Sequence, residues 1–167
     1  QIKNVATLVG NLANASPVAD TVPFLFAADA VVVAASSTKI RRIAIDDFIL
    51  GYKKLALKPD EIITHIEIPI APTRRWRMFK LSLRKDLDIS AVNAVFSYEL
   101  DENQRLQDVR VSYGGVREKT IRCKSVEQFL NNTEVAQLDV AELQKKLASE
   151  ITPISDVRAS AKYRSLV

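Results

Sequence analysis

The residues best suited to bind a ligand lie in one stretch near the start of the chain, residues 6–20. It reads Ala-Thr-Leu-Val-Gly-Asn-Leu-Ala-Asn-Ala-Ser-Pro-Val-Ala-Asp, and no charge interrupts it before Asp20. Small side chains let a backbone come close to a ligand, and hydroxyl, amide and carboxylate groups bond to phosphates and hydroxyls. The stretch therefore predicts either a ligand-binding loop or a polar connection between strands, and its chemistry alone leaves both open.

Three further stretches carry candidate polar groups. Lys80 lies among aromatic and aliphatic residues, so it either reaches an anionic ligand or keeps its ammonium in water above an apolar stem. The charged loop at residues 84–90 either controls access to a flat cofactor or is simply solvated. In residues 156–164, an aspartate and an arginine near a helix start favour a structural role, as a cap or an internal pair.

Cysteine, histidine and glycine usage excludes several kinds of site. Cys123 is the only cysteine, which excludes an internal disulfide and an iron–sulfur cluster held by this chain alone, and it indicates a reducing, cytoplasmic compartment. His65 is the only histidine, and its alternating strand context predicts that it faces solvent rather than a metal. The four glycines fit neither dinucleotide-binding fingerprint nor P-loop. If a nucleotide binds, part of its site must come from elsewhere.

Composition and charge are those of an ordinary globular protein. The chain has 167 residues, 26% charged and 47% hydrophobic, enough for one domain or two small ones. Its net charge of +4 is spread over small basic groups near acidic residues, which favours a solvated face over nucleic-acid binding. No apolar run reaches the length of a membrane span, and no signal peptide is visible. The first residue is Gln1 and the last helix has no stop signal, so we expect a fragment.

The elements that must position these groups divide at residues 71–73, where two prolines follow an alternating strand. Before that boundary, the pattern predicts that Ile62, Thr64, Ile66 and Ile68 share one strand face. The other predicted elements of this part are a loop at 1–20, a short helix and then a strand at 30–34, a strand at 40–45, and a helical turn at 46–51.

After the boundary, the pattern becomes an antiparallel meander followed by helices. A polar loop at 101–104 joins the second and third strands. Helices are predicted to open at Ser125, where a capping box begins, at Asp139, and after Ser155-Asp156. The predicted strands cover residues 76–83, 92–100 and 106–113.

The opening stretch resembles the second flavin-binding segment of the FAD subunit or domain of the molybdenum hydroxylases, the xanthine dehydrogenase family. That segment runs T-L-G-G-N-I-x-x-A-S-P-x-x-D-x-x-P, and here it spans Thr7 to Asp20 with Pro23 in place. Val9 replaces the first glycine of the motif. A β-branched residue there would be costly if the position required positive φ or a close phosphate.

The resemblance continues in family order over nearly the whole chain. Its further matches are Phe48 with Gly51-Tyr52, residues 59–63, 66–69, 79–80, 84–89, 114–116 and 154–164. It implies an α+β fold: residues 1–72 form the C-terminal half of a vanillyl-alcohol-oxidase/PCMH-type FAD domain. Residues 73–167 form a three-stranded antiparallel sheet with helices, similar to the CO dehydrogenase flavoprotein C-terminal domain. The glycine-rich first flavin loop of the family is absent from this sequence.

The same resemblance implies two sets of site residues. The cofactor-binding set, which contacts the diphosphate, ribityl and ring regions of FAD, consists of Thr7, Gly10, Asn11, Asn14, Asp20, Ile63 and Lys80. The acceptor-side set, near the flavin ring where NAD approaches, consists of Tyr52, Asp86 and Asp88. No residue is expected to act as a general acid, base or nucleophile, because the flavin does the chemistry.

The function implied is electron transfer in an oxidoreductase of the xanthine dehydrogenase type. Electrons would pass from iron–sulfur clusters through FAD to NAD or another acceptor, with molybdopterin and [2Fe-2S] clusters on partner chains or domains. We expect no activity from these residues alone. Two alternatives stay open: the flavin subunit of a related CO dehydrogenase, aldehyde or nicotinate oxidoreductase, and a scaffold module that has lost FAD.

Overall fold

The computed structural model describes residues 2–85 and 88–167, so the predicted acceptor-side residue Asp86 lies outside the described residues. No helix within these ranges is long and apolar enough to cross a membrane. The helices are α1 (Ile2–Val5), α2 (Leu8–Ala13), α3 (Val22–Ala27), α4 (Ile45–Phe48), α5 (Lys124–Leu130), α6 (Val140–Glu150) and α7 (Ala161–Leu166), with a 3₁₀ turn at Val135–Gln137. The strands are β1 (Val31–Ala35), β2 (Ile40–Ala44), β3 (Ile49–Gly51), β4 (Lys54–Leu55), β5 (Ile62–Glu67), β6 (Arg75–Leu81), β7 (Val92–Leu100), β8 (Leu106–Gly114) and β9 (Ile121–Arg122).

Helix α2 occupies residues that the sequence predicts as a loop. Thr7 caps it, because its Oγ1 accepts a hydrogen bond from the backbone N–H of Gly10 at 2.9 Å. Leu12 anchors the helix in the core with no exposed surface. Val9 therefore has helical rather than positive φ, and the conformational objection to a valine in the motif does not apply here.

The first half of the chain packs helices α2 to α4 on a three-stranded antiparallel sheet of order β2-β1-β5. A bulge interrupts the pairing of β1 with β5. Val33 is paired with His65 and Ala34 with Ile63, so Thr64 is an extra residue without a partner position on β1. An extra residue reverses which side chains face the core. The predicted single face is therefore wrong: Ile62 is 69% exposed, whereas Ile63 joins Ile66 and Ile68 against the core.

The second half contains the predicted antiparallel meander β6-β7-β8, and β9 adds a two-residue fourth strand at its edge. One face of this sheet packs against α3 from the first half, and the other packs against α5. Phe96 and Tyr113 meet edge to face on the α5 side, with ring centroids 5.8 Å apart. The strands β7 and β8 are therefore covered on both faces, whereas most residues of β6 are exposed.

Two of the three C-terminal helices begin differently from the prediction. Cys123, not Ser125, is the N-cap residue of α5. Ser125 lies inside the helix, where its hydroxyl donates to Glu150 Oε1 at 2.6 Å. Helix α7 begins only at Ala161, where Ser160 Oγ accepts from the Tyr163 N–H at 3.1 Å. The predicted cap of α6 is confirmed, since Asp139 accepts from the Glu142 N–H at 3.0 Å.

Ion pairs hold the two halves of the chain together. Asp29, in the turn after α3, binds Arg110 of β8 at 2.5 Å and Arg122 of β9 at 2.6 Å. Lys119 also donates to the carbonyl oxygen of Ile49 at 2.8 Å. These contacts fix the sheet of the second half against the helices of the first.

The thiol of Cys123 is expected to be unreactive in the folded protein. It is fully buried, and this burial, together with the nearby carboxylates of Glu150 and Glu127, raises its pKa to about 12. The reactive thiolate is therefore scarce at neutral pH. We expect no labelling by a thiol-specific chromogenic disulfide at pH 8 and one equivalent after unfolding in guanidinium. Rapid labelling of the native protein would contradict this burial.

Candidate functional site

A cleft of about 1060 Å³ lies between the two halves of the chain. Its volume is at the upper end of the range typical of ligand sites, roughly 300–1,000 Å³. The first half contributes Asn11 of α2, the residues between α2 and α3, and the turn between β3 and β4. The second half contributes β6, the loop after it, Glu118 between β8 and β9, and a C-terminal segment. The lining residues are Asn11, Asn14, Ser16, Pro17, Val18, Ala19, Asp20, Tyr52, Lys53, Lys80, Ser82, Lys85, Asp88, Ile89, Glu118, Ile154, Asp156 and Arg158.

Asp20 is the acceptor on which the two halves converge. Its Oδ2 accepts from Lys80 Nζ at 2.7 Å, and its Oδ1 accepts from the hydroxyl of Ser90. Asn93 Nδ2 donates to the same Oδ1 at 3.2 Å and to the Ala19 carbonyl oxygen at 3.2 Å. Ser90 and Asn93 are buried, whereas Asp20 and Lys80 remain about half exposed at the cleft wall. The carboxylate therefore joins a buried polar pair to an accessible ammonium group.

Two glycines of the second half let the loop before Asp20 come close to the sheet. Gly115 has a φ of +83°, and a Cβ there would collide with the carbonyl oxygen of Ala91. Its N–H donates to the carbonyl oxygen of Pro17 at 2.7 Å. A Cβ on Gly114 would collide with Asn93 Oδ1. The glycine pair therefore allows residues 16–19 to pack against the start of β7 and the end of β8.

Asn11 and Asn14 present side-chain amides along the first-half wall. Asn11 Oδ1 accepts from the hydroxyl of Thr21 at 2.6 Å and from the Thr21 N–H at 3.3 Å. Asn14 Oδ1 accepts from Lys53 Nζ at 2.5 Å. Because an amide oxygen is occupied in each case, the amide nitrogens are the groups left to donate to a ligand.

The loop after β6 forms an opposite wall and is closed by Asp88. The carboxylate accepts from the Arg84 N–H at 2.8 Å, from the Arg84 guanidinium at 3.2 Å and from the Ile89 N–H at 2.9 Å. The hydrogen bonds from Arg84, backbone first and then side chain, lower the pKa of Asp88. The carboxylate of Asp88 is therefore charged at neutral pH.

The C-terminal segment adds a third wall. Arg164, which is almost fully buried, donates to the carbonyl oxygen of Ile154 at 2.7 Å and to Asp156 Oδ2 at 2.8 Å. Burial alone would raise the pKa of Asp156, but the hydrogen bonds from Arg164 and from backbone N–H groups outweigh it and lower the pKa. Asp156 has the structural role that the sequence favours, but the predicted side-chain pairing with Arg158 is wrong, because its partner is Arg164. Arg158 lines the cleft and only its N–H binds Asp156, at 2.8 Å.

The lining charges and apolar groups suit an extended, amphipathic ligand. Four cations line the cleft, Lys53, Lys80, Lys85 and Arg158, and so do four anions, Asp20, Asp88, Glu118 and Asp156. Tyr52, Ile89 and Ile154 are each at least half exposed at its edge, which provides apolar surface. Such a mixture favours a ligand with phosphates, hydroxyls and a flat ring. No group of three or more metal-ligating side chains occurs among residues 2–85 and 88–167.

The structure brings most of the predicted site residues together. Six line the cleft: Asn11, Asn14, Asp20, Tyr52, Lys80 and Asp88. Three are placed elsewhere. Thr7 and Gly10 form the first turn of α2, and Ile63 packs against the core of the first half. Their contacts with a cofactor remain predictions.

Several cleft residues were not identified from the sequence. Ser90 and Asn93 are separated from Asp20 by about 70 positions, so no local motif joins them. The sequence does indicate a special role for Asn93, because it is a polar residue within the largely apolar strand β7. Lys53 and Glu118 are ordinary surface charges in sequence, and only the fold brings them to one cleft with Lys85 and Arg158, whose stretches the sequence had singled out.

Comparison with known families divides the chain into two matches. Residues 1–71 match the FAD binding domain in molybdopterin dehydrogenase, and residues 77–167 match the CO dehydrogenase flavoprotein C-terminal domain. Together these matches cover nearly the whole chain.

Comparison with individual proteins indicates the same family. A xanthine dehydrogenase of Emericella nidulans is 39% identical over 132 residues, which is 78% of this chain and 10% of that protein. A putative xanthine dehydrogenase FAD-binding subunit of Escherichia coli is 29% identical over 98% of this chain and 56% of the subunit. The chain thus spans about a tenth of the first relative and just over half of the second.

A solved structure shows the same fold. Carbon monoxide dehydrogenase from Hydrogenophaga pseudoflava superimposes with a TM-score of 0.91 at 21% identity, over 99% of this chain and 57% of that chain. The predicted α+β fold is therefore confirmed.

Proposed function

The chain belongs to the FAD-binding part of the molybdenum hydroxylase family, and from that membership we propose that its inter-half cleft is one side of a flavin site used for electron transfer. The observation that carries the proposal is Asp20. It lies in the family's flavin motif and bonds at once to Lys80, Ser90 and Asn93 of the other half. A cleft organised by one carboxylate from one half and three donors from the other is suited to a ligand that both halves hold.

The donors and surfaces of the cleft fit FAD. Lys80, Lys85 and Arg158 offer charge to a diphosphate, and the amides of Asn11 and Asn14 offer donors to hydroxyl or carbonyl oxygens. Tyr52 and Ile89 offer exposed apolar surface to a ring system. When bound, FAD supplies chemistry that links one-electron and two-electron carriers. The chain's own residues bind it, orient it and set the local charge.

The same proposal assigns a role to each half of the chain. Residues 1–72 would be the C-terminal half of the FAD domain, and residues 73–167 the domain that closes on the cofactor. The molybdopterin-binding and iron–sulfur centres would lie on partner chains or domains, in a cytoplasmic enzyme of the xanthine dehydrogenase type. Electrons would leave toward NAD or another acceptor near Tyr52 of the first half and Asp88 of the second half, which both line the cleft.

The proposal is tested by flavin uptake in the protein at its natural length. We expect a yellow protein that retains one FAD per chain through gel filtration, and at least a fivefold loss of FAD affinity in Lys80→Met. Lys39→Met is the matched control, since Lys39 lies in an exposed turn far from the cleft lining. A folded, colourless protein that takes up no FAD would instead support the scaffold alternative.

The acceptor is tested separately, with NADH as the reductant of the bound flavin under anaerobic conditions. If NAD is the acceptor, NADH should bleach the flavin absorbance, because hydride transfer between the two carriers is reversible. Dithionite serves as the positive control for a reducible flavin. Bleaching by dithionite but not by NADH would point to another acceptor and leave the FAD proposal intact.

A further inference from the structure

Lys53, in the turn between β3 and β4, makes three hydrogen bonds to the segment of the cleft wall that contains Asn14 and Ala15. Lys53 Nζ donates to the carbonyl oxygen of Asn14 at 2.8 Å and to its side-chain Oδ1 at 2.5 Å. The N–H of Lys53 also donates to the carbonyl oxygen of Ala15 at 3.3 Å. One lysine from the turn thus fixes both the backbone and the side-chain amide of a cleft residue 39 positions earlier.

The backbone on both sides of this contact is unusual. Lys53 has a φ of +56° and Ala15 a φ of +46°, and neither is glycine. Residues with side chains rarely adopt this left-handed conformation, and they keep it only where surrounding contacts impose it. Ala15 is buried, so the turn and the loop hold each other in these conformations.

The consequence for a ligand concerns the amide of Asn14. With Oδ1 held by an ammonium group, the amide can present only its nitrogen, as a donor, to the cleft that Asn14 lines. Without Lys53 the amide could rotate and present either atom. Two of the three ammonium hydrogens bond to Asn14, so we expect Lys53 to act on the ligand chiefly through that residue.

We propose that Lys53 is a positioning residue for FAD, which orients Asn14 as a hydrogen-bond donor to the bound cofactor. This rests on the proposed function of the cleft. The effect is one of geometry, not of charge at the ligand, so arginine should replace Lys53 whereas an uncharged side chain should not.

The test is a set of variants measured by FAD titration in the protein at its natural length, stripped of flavin beforehand. Lys53→Met and Lys53→Gly should each weaken FAD binding about fivefold, and Lys53→Arg should bind within about twofold of the parent. Lys54→Met is the matched control, because the neighbouring side chain makes no hydrogen bond within the described part of the chain. It should bind like the parent.

Lys53→Gly also separates positioning from folding. Glycine adopts positive φ without a steric penalty, so the turn should persist and the melting temperature should stay within about 4 °C of the parent. A weakened FAD affinity with an unchanged melting temperature would support positioning. A parent-like affinity in both Lys53→Gly and Lys53→Met would overturn it, while leaving flavin binding by the parent established.

A double-mutant cycle identifies Asn14 as the intermediary. If Lys53 acts through Asn14, Lys53→Gly should have almost no further effect in an Asn14→Ala background. If the two losses are instead additive, and ADP binding falls with them, Lys53 contacts a phosphate directly and the proposal is wrong. Failure of the unmutated protein to bind FAD at all would contradict the proposed function itself.

Discussion

Replacing Asp20 by alanine is expected to weaken FAD binding about tenfold or more and to lower the free energy of unfolding by about 2–4 kcal/mol. The carboxylate accepts hydrogen bonds from Lys80, Ser90 and Asn93. The buried Ser90 would lose its acceptor and the buried Asn93 would lose one of the two acceptors of its Nδ2, and a buried group without a partner costs about 1–3 kcal/mol. The affinity falls because Lys80 loses the contact that holds its ammonium group at the cleft wall.

The two parts of this expectation are measured by urea unfolding and by FAD titration. Asp20→Asn should fall between the parent and Asp20→Ala, since an amide offers one acceptor but places a donor against the remaining groups. Asp47→Ala is the control, because Asp47 is exposed and its side chain makes no hydrogen bond within residues 2–85 and 88–167. An Asp20→Ala protein that binds FAD like the parent would show that this carboxylate does not organise the site.

The elements with strong local signals could be predicted from the sequence. Strand β7 has the predicted bounds because apolar residues alternate along it from Val92 to Leu100 and a polar turn ends it. The strand at β1 and the Asp139 cap of α6 are equally local features. The order β6-β7-β8 followed from the predicted meander as well, whereas the order β2-β1-β5 of the first-half sheet was not predicted.

Where the prediction differed, tertiary contacts decided the outcome. Residues 8–13 contain a glycine and an asparagine, which favour loops, yet Thr7 caps a helix there and Leu12 buries its whole side chain. In β5, one bulge at Thr64 moves Ile62 out of the core, and no residue type in the strand announces it. A period read along one strand cannot reveal how its neighbour is paired.

The candidate site was predictable in part: Lys80 and Asp88 of the second half were predicted as well, but most of the contacts that support the site were not. The motif that ends at Asp20 supplied Asn11, Asn14 and Asp20 because these residues are contiguous in sequence. Their partners Ser90 and Lys53 are fixed by how the second sheet and a hairpin turn pack on that loop. Such long-range pairs leave no pattern in a single sequence, since a lysine or a serine has the same appearance in any exposed loop.

The buried ion pair between Glu127 and Arg122 should give the largest loss of stability. Glu127→Ala is expected to lower the free energy of unfolding by about 3–5 kcal/mol, as is usual when one partner of a buried pair is removed. Glu127 Oε1 accepts from the Val111 N–H at 2.9 Å and from Arg122 Nε at 2.5 Å, and its Oε2 accepts from Arg122 Nη2 at 2.8 Å. Both side chains are less than a tenth exposed. Urea unfolding measures the loss, and Glu102→Ala, in an exposed turn, is the control.

Removing the second charge separates the cost of an unpaired buried charge from the cost of lost packing. In Glu127→Ala/Arg122→Met no charge remains buried without its partner, so about 1–2 kcal/mol of the loss should be recovered even though one more side chain is changed. Recovery should be incomplete, because Arg122 also binds Asp29 of the first half at 2.6 Å. Asp29 would then keep its ion pair with Arg110, at 2.5 Å. If the double variant is less stable than Glu127→Ala, the contact between Arg122 and Asp29 outweighs the buried charge, and the attachment of the two halves depends chiefly on Arg122.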